Sequence, residues 1–148
     1  MAQILGIDVG TKTLGLAVSD EGQGVALPLT TLRRKGLRRD LEALAEIVHD
    51  RGIDEVVVGL PLNLDGSPGV MAEECEVIAA QIAERLGATV HRWDERLSTV
   101  AAERVLLEAD VSRRKRKQVI DKLAATIILQ AFLDRRRCDA AGLTDGLA

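Results

Sequence analysis

The chain has 148 residues, 47% hydrophobic and 29% charged, with a net charge of −3, enough for one domain that buries roughly two thirds of the surface of its unfolded chain. Every apolar run is broken by a charge, Gly or Pro short of the ~20 residues that span a bilayer, and Met1 to Val9 has neither a basic lead nor a cleavage site, so no membrane association and a cytoplasmic location are expected. Two cysteines, one Trp, one Phe and no Tyr exclude a disulfide framework, a zinc site and the aromatic platforms on which unstacked bases are held.

Residues 3–9 are apolar on both faces except at Asp8, which predicts a central strand, and the turn Gly10 to Thr13 leads into a second strand over 14–19. A third strand is expected from Val25 to Leu32, at an edge, because Pro28 cannot donate to a ladder. Leu37, Leu41, Leu44 and Val48 then mark an amphipathic helix stopped at Gly52. A buried strand over 55–60, a loop from Pro61 to Gly69 and a helix through Met71, Cys75, Ile78, Ile82 and Leu86 follow, the helix ending at Gly87. A fifth strand over 88–93 precedes helices over 97–108, capped by Ser98 or Thr99, and over 117–137. This order predicts an α/β fold: a mixed five-stranded sheet, an antiparallel meander plus parallel strands, with helices on both faces. The domain spans 1–137, and 138–148 reads as a flexible tail.

Three acids stand out by position. Asp8 ends an apolar central strand, where an unpaired buried carboxylate would be costly, so it needs a cation unless it only opens the Asp-Val-Gly turn. At the end of the fifth strand, alternation puts Glu95 on the face of Trp93 and Asp94 on the other, which favours Glu95; a solvated turn with a local pair to Arg96 is the plainer alternative. Asp121 has Ala124, Ala125 and Ile128 on its own helix face, which should pack on the sheet, or else it only offsets the helix dipole. If Asp8 and Glu95 end parallel strands at one edge and the last helix lays Asp121 across it, the three make a hard oxygen site for Mg²⁺ or Mn²⁺. Two ions in such a site suit hydrolysis of a phosphodiester.

The turn Gly6 to Thr13 lacks the adjacent Gly-Lys-Ser/Thr of a phosphate-binding P-loop, since Thr11 intervenes. Its hydroxyls and Lys12 still suit a phosphate, although a plain hairpin turn would use the same residues. Asn63 stands in a second turn that either lines the site or only reverses the chain. Thirteen of the 20 Lys and Arg residues fall in three short stretches, Arg33 to Arg39, Arg113 to Lys117 and Arg135 to Arg137, clustering that the net charge hides. The run Arg113, Arg114, Lys115, Arg116 and Lys117 should repel itself into a mobile loop that orders on nucleic acid, the alternative being a solvated helix start.

Taken together, Gly6-Ile-Asp-Val-Gly-Thr-Lys12, Gly59-Leu-Pro-Leu-Asn-Leu-Asp-Gly66, Asp94-Glu-Arg-Leu-Ser-Thr99 and Asp121-Lys-Leu-Ala-Ala125 closely resemble the YqgF family, also called RuvX, over about residues 2–137. The resemblance implies the RNase H-like fold of the junction resolvase RuvC and a metal-dependent nuclease. Family members are described both as pre-16S rRNA processing enzymes and as Holliday junction resolvases. It carries over Asp8, Glu95 and Asp121 as catalytic residues and metal ligands. Thr11, Lys12, Asn63, Arg96, Ser98, Thr99 and the segment Arg113 to Lys117 are then expected at the substrate.

Two rival readings are set against this one. An ATP-binding module of the actin or sugar-kinase type also begins with Asp-x-Gly-Thr, but closes two related domains around its nucleotide and needs a much longer chain. A non-catalytic RNA-binding factor for ribosome assembly would keep the basic clusters and leave the acids idle. The nucleic acid would be RNA or branched DNA, held through its phosphates, and symmetric cleavage of a junction would require a homodimer.

Overall fold

The computed structural model describes residues 2–61, 69–97 and 113–140, with 113–122 as helix backbone alone. Strands β1 (Ile4–Val9), β2 (Thr13–Ser19), β3 (Ala26–Arg33), β4 (Glu55–Leu60) and β5 (Thr89–Asp94) form one five-stranded sheet in the order β3-β2-β1-β4-β5. The first three strands pair antiparallel, while β4 runs parallel to β1 and β5 parallel to β4. This is the mixed sheet expected from the alternation of elements. Pro28 does sit in the edge strand, opposite Ala17 and next to a register shift between Leu16 and Ala17, where its missing N–H costs little.

The period of two along β1 sorts the two cores. Leu5, Ile7 and Val9 face helices α1 (Leu37–Arg51) and α2 (Val70–Leu86). Ile4, together with Ala17, Val57 and Trp93, packs under the last helix, α3 (Arg113–Ala140), against Ala125, Ile128 and Leu129. Gly52 and Gly87 end α1 and α2 at φ 63° and 66°, the left-handed geometry that favours Gly past a helix end. Under α3 the requirement is for space instead: a Cβ at Gly6 would lie 2.8 Å from Leu129 Cβ and 3.2 Å from the Ala125 carbonyl oxygen. The helix therefore rests almost directly on the β1 backbone.

Two polar clasps fix the position of α3. Gln130 accepts from Ala26 N at 2.8 Å and donates to Gly24 O at 3.0 Å, tying the helix to the start of β3. Toward its C-terminus, Arg136 donates twice to Glu55 at the start of β4, while its guanidinium lies 4.6 Å from the centre of the Phe132 ring.

Three expectations are corrected. The helix begins at Arg113, so Arg113 to Lys117 is helical and not a loop: Arg, Lys and Gln are strong helix formers and no Gly or Pro interrupts them. It also continues through Ala140, so Cys138, Asp139 and Ala140 are helical rather than part of a tail. At β5 the chain turns into a short 3₁₀ segment, Glu95–Leu97, instead of opening a helix at Leu97. The rest of that expected helix, with Ser98 and Thr99, the loop with Asn63, and residues 141–148 lie outside the described residues. No helix among the described residues is long and apolar enough to cross a membrane.

Candidate active site

Strands β1, β4 and β5 run parallel, so their C-terminal ends share one edge of the sheet, the place where α/β sheets bind ligands. Asp8, 3% exposed, is the penultimate residue of β1. It follows Ile7, the partner of Val58, and therefore stands level with Gly59, which pairs with Trp93 of β5. Alternation along β1 places Asp8 on the α3 face, after Ile4 and Gly6.

Glu95 reaches the same place from the other side. Its Oε1 and Cγ lie 3.1 and 3.3 Å from the point a Gly59 Cβ would occupy, so the side chain folds back over β4 toward β1. Gly59 makes room for it: any side chain there would meet both Glu95 and Ile128 Cδ1, 2.6 Å away. A glycine in β4, between β1 and β5, is thus what leaves space for the Glu95 side chain to fold back, a role that the sequence pattern does not assign to Gly59. The charges of Glu95 and Asp8 also register on buried Cys75, whose thiol is pushed up to about 12, first by burial and then by Glu95, Asp8 and Glu74. Asp121 lies in α3 one turn ahead of Ala125, with its side chain outside the described residues. Among the described residues no three His, Cys, Asp or Glu side chains are grouped to hold a metal.

Asp94 follows the plainer reading. The Arg96 guanidinium lies 2.6 Å from Asp94 Oδ2, and the Arg96 backbone N–H donates to Oδ1 at 2.9 Å. These bonds hold the Asp94 carboxyl below the usual carboxylate range. Arg96 is accordingly engaged in ordering the turn that carries Glu95.

Thr11 and Lys12 are exposed at the mouth, in a turn closed by Gly10 N donating to Thr13 O at 2.8 Å. What holds this turn was missed in the sequence. Arg34 donates from Nη1 to Gly10 O at 3.0 Å, its backbone N–H donates to Lys12 O at 2.8 Å, and its guanidinium pairs with buried Asp40 and with Glu74 of α2. Asp40 Oδ1 in turn accepts from Lys35 N at 2.9 Å. Only Asp40 in the first turn of α1 could have signalled this network, and an acid there reads equally well as a partner of the helix dipole. At the opposite end of the sheet, the cluster Arg135 to Arg137 is engaged with Asp139, Glu55 and Asp134.

The comparisons with known proteins agree with this architecture. The family model described as "RuvX: Holliday junction resolvase" matches residues 2–135. A Moorella thermoacetica protein named "Putative pre-16S rRNA nuclease" is 56% identical over 133 residues, covering 90% of this chain and 95% of its own. A Myxococcus xanthus protein of the same name is 54% identical over 133 residues, covering 90% and 88%. Among solved structures, Thermus thermophilus RuvC in complex with a Holliday junction substrate superposes with a TM-score of 0.60 at 15% identity, covering 93% of this chain and 96% of that one. The yeast mitochondrial Holliday junction resolvase Ydc2 gives 0.52 at 10% identity, covering 89% and 78%. The structural likenesses establish the RNase H-like fold, and the family model with the close relatives establishes the lineage: the chain belongs to the RuvX family, also called YqgF, whose members carry the names of nucleases.

Proposed function

We propose that this chain is a metal-dependent nuclease that hydrolyses phosphodiester bonds in precursor 16S rRNA, branched DNA or both, acting in the cytoplasm. The observation that carries the reading is the placement of two carboxylates, Asp8 and Glu95, on either side of side-chain-free Gly59 at the C-terminal edge of the parallel strands. Asp121 is the third acid in this reading, supported by its place one turn ahead of Ala125 on the helix that covers that face.

Carboxylate oxygens are the donors that hard Mg²⁺ or Mn²⁺ prefers, and the set would hold two such ions. Bound cations of this kind supply an activated water and stabilise the leaving oxygen of a phosphodiester. The chain's own residues bind and orient. Lys12 and Thr11, on a turn fixed by Arg34, hold a phosphate beside Asp8, and Arg96 keeps the Glu95 turn in place through Asp94. Asn63, Ser98, Thr99 and the segment Arg113 to Lys117 are proposed as further substrate contacts. Cleavage of a four-way junction at symmetric positions would need a homodimer, whereas trimming of RNA would not.

The test is a side-by-side cleavage assay on single-stranded RNA, RNA duplex and a four-way DNA junction with Mg²⁺ or Mn²⁺, with mass measured by light scattering. Asp8→Asn is expected to lose cleavage while keeping its thermal midpoint, because it removes a ligand charge and relieves a buried one. Unchanged turnover of Asp8→Asn, or of the wild type in EDTA, would overturn the proposal; absence of cleavage with intact binding would favour the assembly-factor reading.

A further inference from the structure

Most of the described cations are engaged: Arg34, Arg38, Arg92, Arg96, Arg136 and Arg137 each pair with a carboxylate at 2.5 to 3.3 Å, Arg135 with Asp139 at 3.8 Å, and Arg51 donates to Gln3 Oε1 at 3.2 Å. Lys12, Arg33, Lys35 and Arg39 are exposed, and none of their side chains has a hydrogen-bond or ion-pair partner among the described residues. These four are neighbours in space. Thr13 pairs with Arg33 across β2 and β3, and Arg34 N donates to Lys12 O, which brings Lys12, Arg33 and Lys35 to the same end of the sheet as Asp8. Arg39 follows in the first turn of α1. Arg85, also exposed, stands apart from them in the last turn of α2.

The surface between Arg33, Lys35 and Arg39 is concave. Two adjoining grooves, of about 340 and 450 Å³, are both lined by Lys35, Arg39 and Glu42. Glu42 is occupied with Arg38 at 3.3 Å, and Glu46, a turn further along α1, closes the groove with a negative charge. A solvated charged face would be expected to carry local carboxylate partners, as Arg135 to Arg137 do. Cations left unpaired, side by side and level with the acid-bearing edge are what a polyanion needs, since each can release a counterion on meeting a phosphate.

We propose that the nucleic-acid backbone runs from the Asp8 and Glu95 edge across the turn Gly10 to Thr13 and over the β3–α1 junction, held at its phosphates by Lys12, Arg33, Lys35 and Arg39. The proposal rests on the nuclease reading for the place where the track begins. β3 lies two strands from β1, about 10 Å, and the first turn of α1 lies beyond it. At a rise of roughly 3.4 Å per nucleotide, this length serves about three or four phosphates of one strand. Arg34, in the middle of the run, is not a phosphate contact: it is committed to Asp40, Glu74 and Gly10, and so sets the shape of the track. The cluster Arg135 to Arg137 lies at the opposite end of the sheet and takes no part.

The experiment measures binding of the full chain to an RNA duplex and to a four-way DNA junction by fluorescence anisotropy, without divalent metal, between 50 and 200 mM KCl. The variant Arg33→Ala/Lys35→Ala/Arg39→Ala is expected to bind both probes tens of times more weakly at low salt. Its log K against log salt slope should flatten by about 2 to 3, at roughly 0.7 to 0.9 for each phosphate no longer neutralised. The control Arg135→Ala/Arg137→Ala should keep the wild-type slope, and both variants should keep the wild-type thermal midpoint within a few degrees. Weaker binding of one probe alone still supports the track and names the polymer it serves. An unchanged slope in the triple variant, an equal fall in the control, or no binding of either probe by the wild type would overturn it. Because no metal is present, failure of the nuclease reading appears separately, as absent or metal-independent cleavage beside an intact salt response.

Discussion

Gly59→Ala tests the geometry of the acid pair directly. Its backbone is outside the left-handed region, so alanine is conformationally admissible, and the smaller entropy of the unfolded chain would stabilise by about 0.4–1 kcal/mol. Against this, the new methyl would lie 2.6 Å from Ile128 Cδ1, about 1 Å inside the optimal contact, and overpacking of this kind costs roughly 1–3 kcal/mol. The expected net result is a fall in thermal midpoint of a few degrees, read by calorimetry. Ile128→Val removes Cδ1 and alone costs about 0.5–1.5 kcal/mol. Added to Gly59→Ala, it should restore most of the missing stability, a coupling of about 1 kcal/mol or more. Cleavage should not return with it, because Glu95 Oε1 and Cγ still meet the methyl at 3.1 and 3.3 Å and the carboxylate must shift. Since displacement of a reacting group by about 1 Å can cost 10²-fold, a shift of a few tenths should lower kcat roughly tenfold. Additive destabilisation in the double variant would refute the packing argument, and full activity in either variant would refute the placement of Glu95.

Three further outcomes follow from other parts of the fold. Arg34→Met leaves the Asp40 carboxylate, 5% exposed, without its guanidinium; the loss should be about 2–3 kcal/mol by urea denaturation, and adding Asp40→Asn should recover part of it. Arg136 holds the Glu55 carboxyl below its ordinary value of 4.5, against the opposing effect of burial. The clasp therefore contributes its stability above that pH and loses it as pH falls through the lowered folded value, so Arg136→Met should be about 1 kcal/mol less stable than wild type at pH 7 and match it in strong acid. With Cys75 fully buried and its thiol pushed up to about 12, a thiol reagent at pH 8 should modify Cys138 rapidly and Cys75 only on unfolding; comparable rates at both would contradict the packing of α2.

The strands and the two helices over the first face were legible because each carries an uninterrupted pattern between Gly or Pro stops, as Val56 to Val58 and the stripe Leu41, Leu44, Val48 show. The start of α3 was not, because like charges at Arg113 to Lys117 suggest a loop as readily as a solvated helix start, and the contacts of Gln130 and Arg136 that anchor the same helix come from strands far away in sequence. Period two correctly put Glu95 on the face of Trp93, even though the chain leaves strand geometry at that residue. It could not show Gly59 as the gap that admits Glu95, since a lone Gly in a strand signals only that something comes close, not what.

The basic stretches mark the deeper limit of sequence reading. Arg33 to Arg39 and Arg135 to Arg137 look alike as composition, yet one lies level with Asp8 and the other at the opposite end of the sheet, because β3, antiparallel to β2, runs in the direction of β1 and ends where β1 ends, while the last turns of α3 lie over the start of β4. Within the first stretch, neighbours part again: Arg34 turns inward to Asp40, and Arg33 and Lys35 on either side stay in water. A buried guanidinium must bring carboxylates with it, and doing so removes it from the set that can meet a phosphate. The division between cations that hold the fold and cations open to a substrate is therefore made by the acids the topology delivers, Asp40 and Glu74 to one, Glu55 and Asp134 to others, and none to Lys12, Arg33, Lys35 and Arg39 among the described residues.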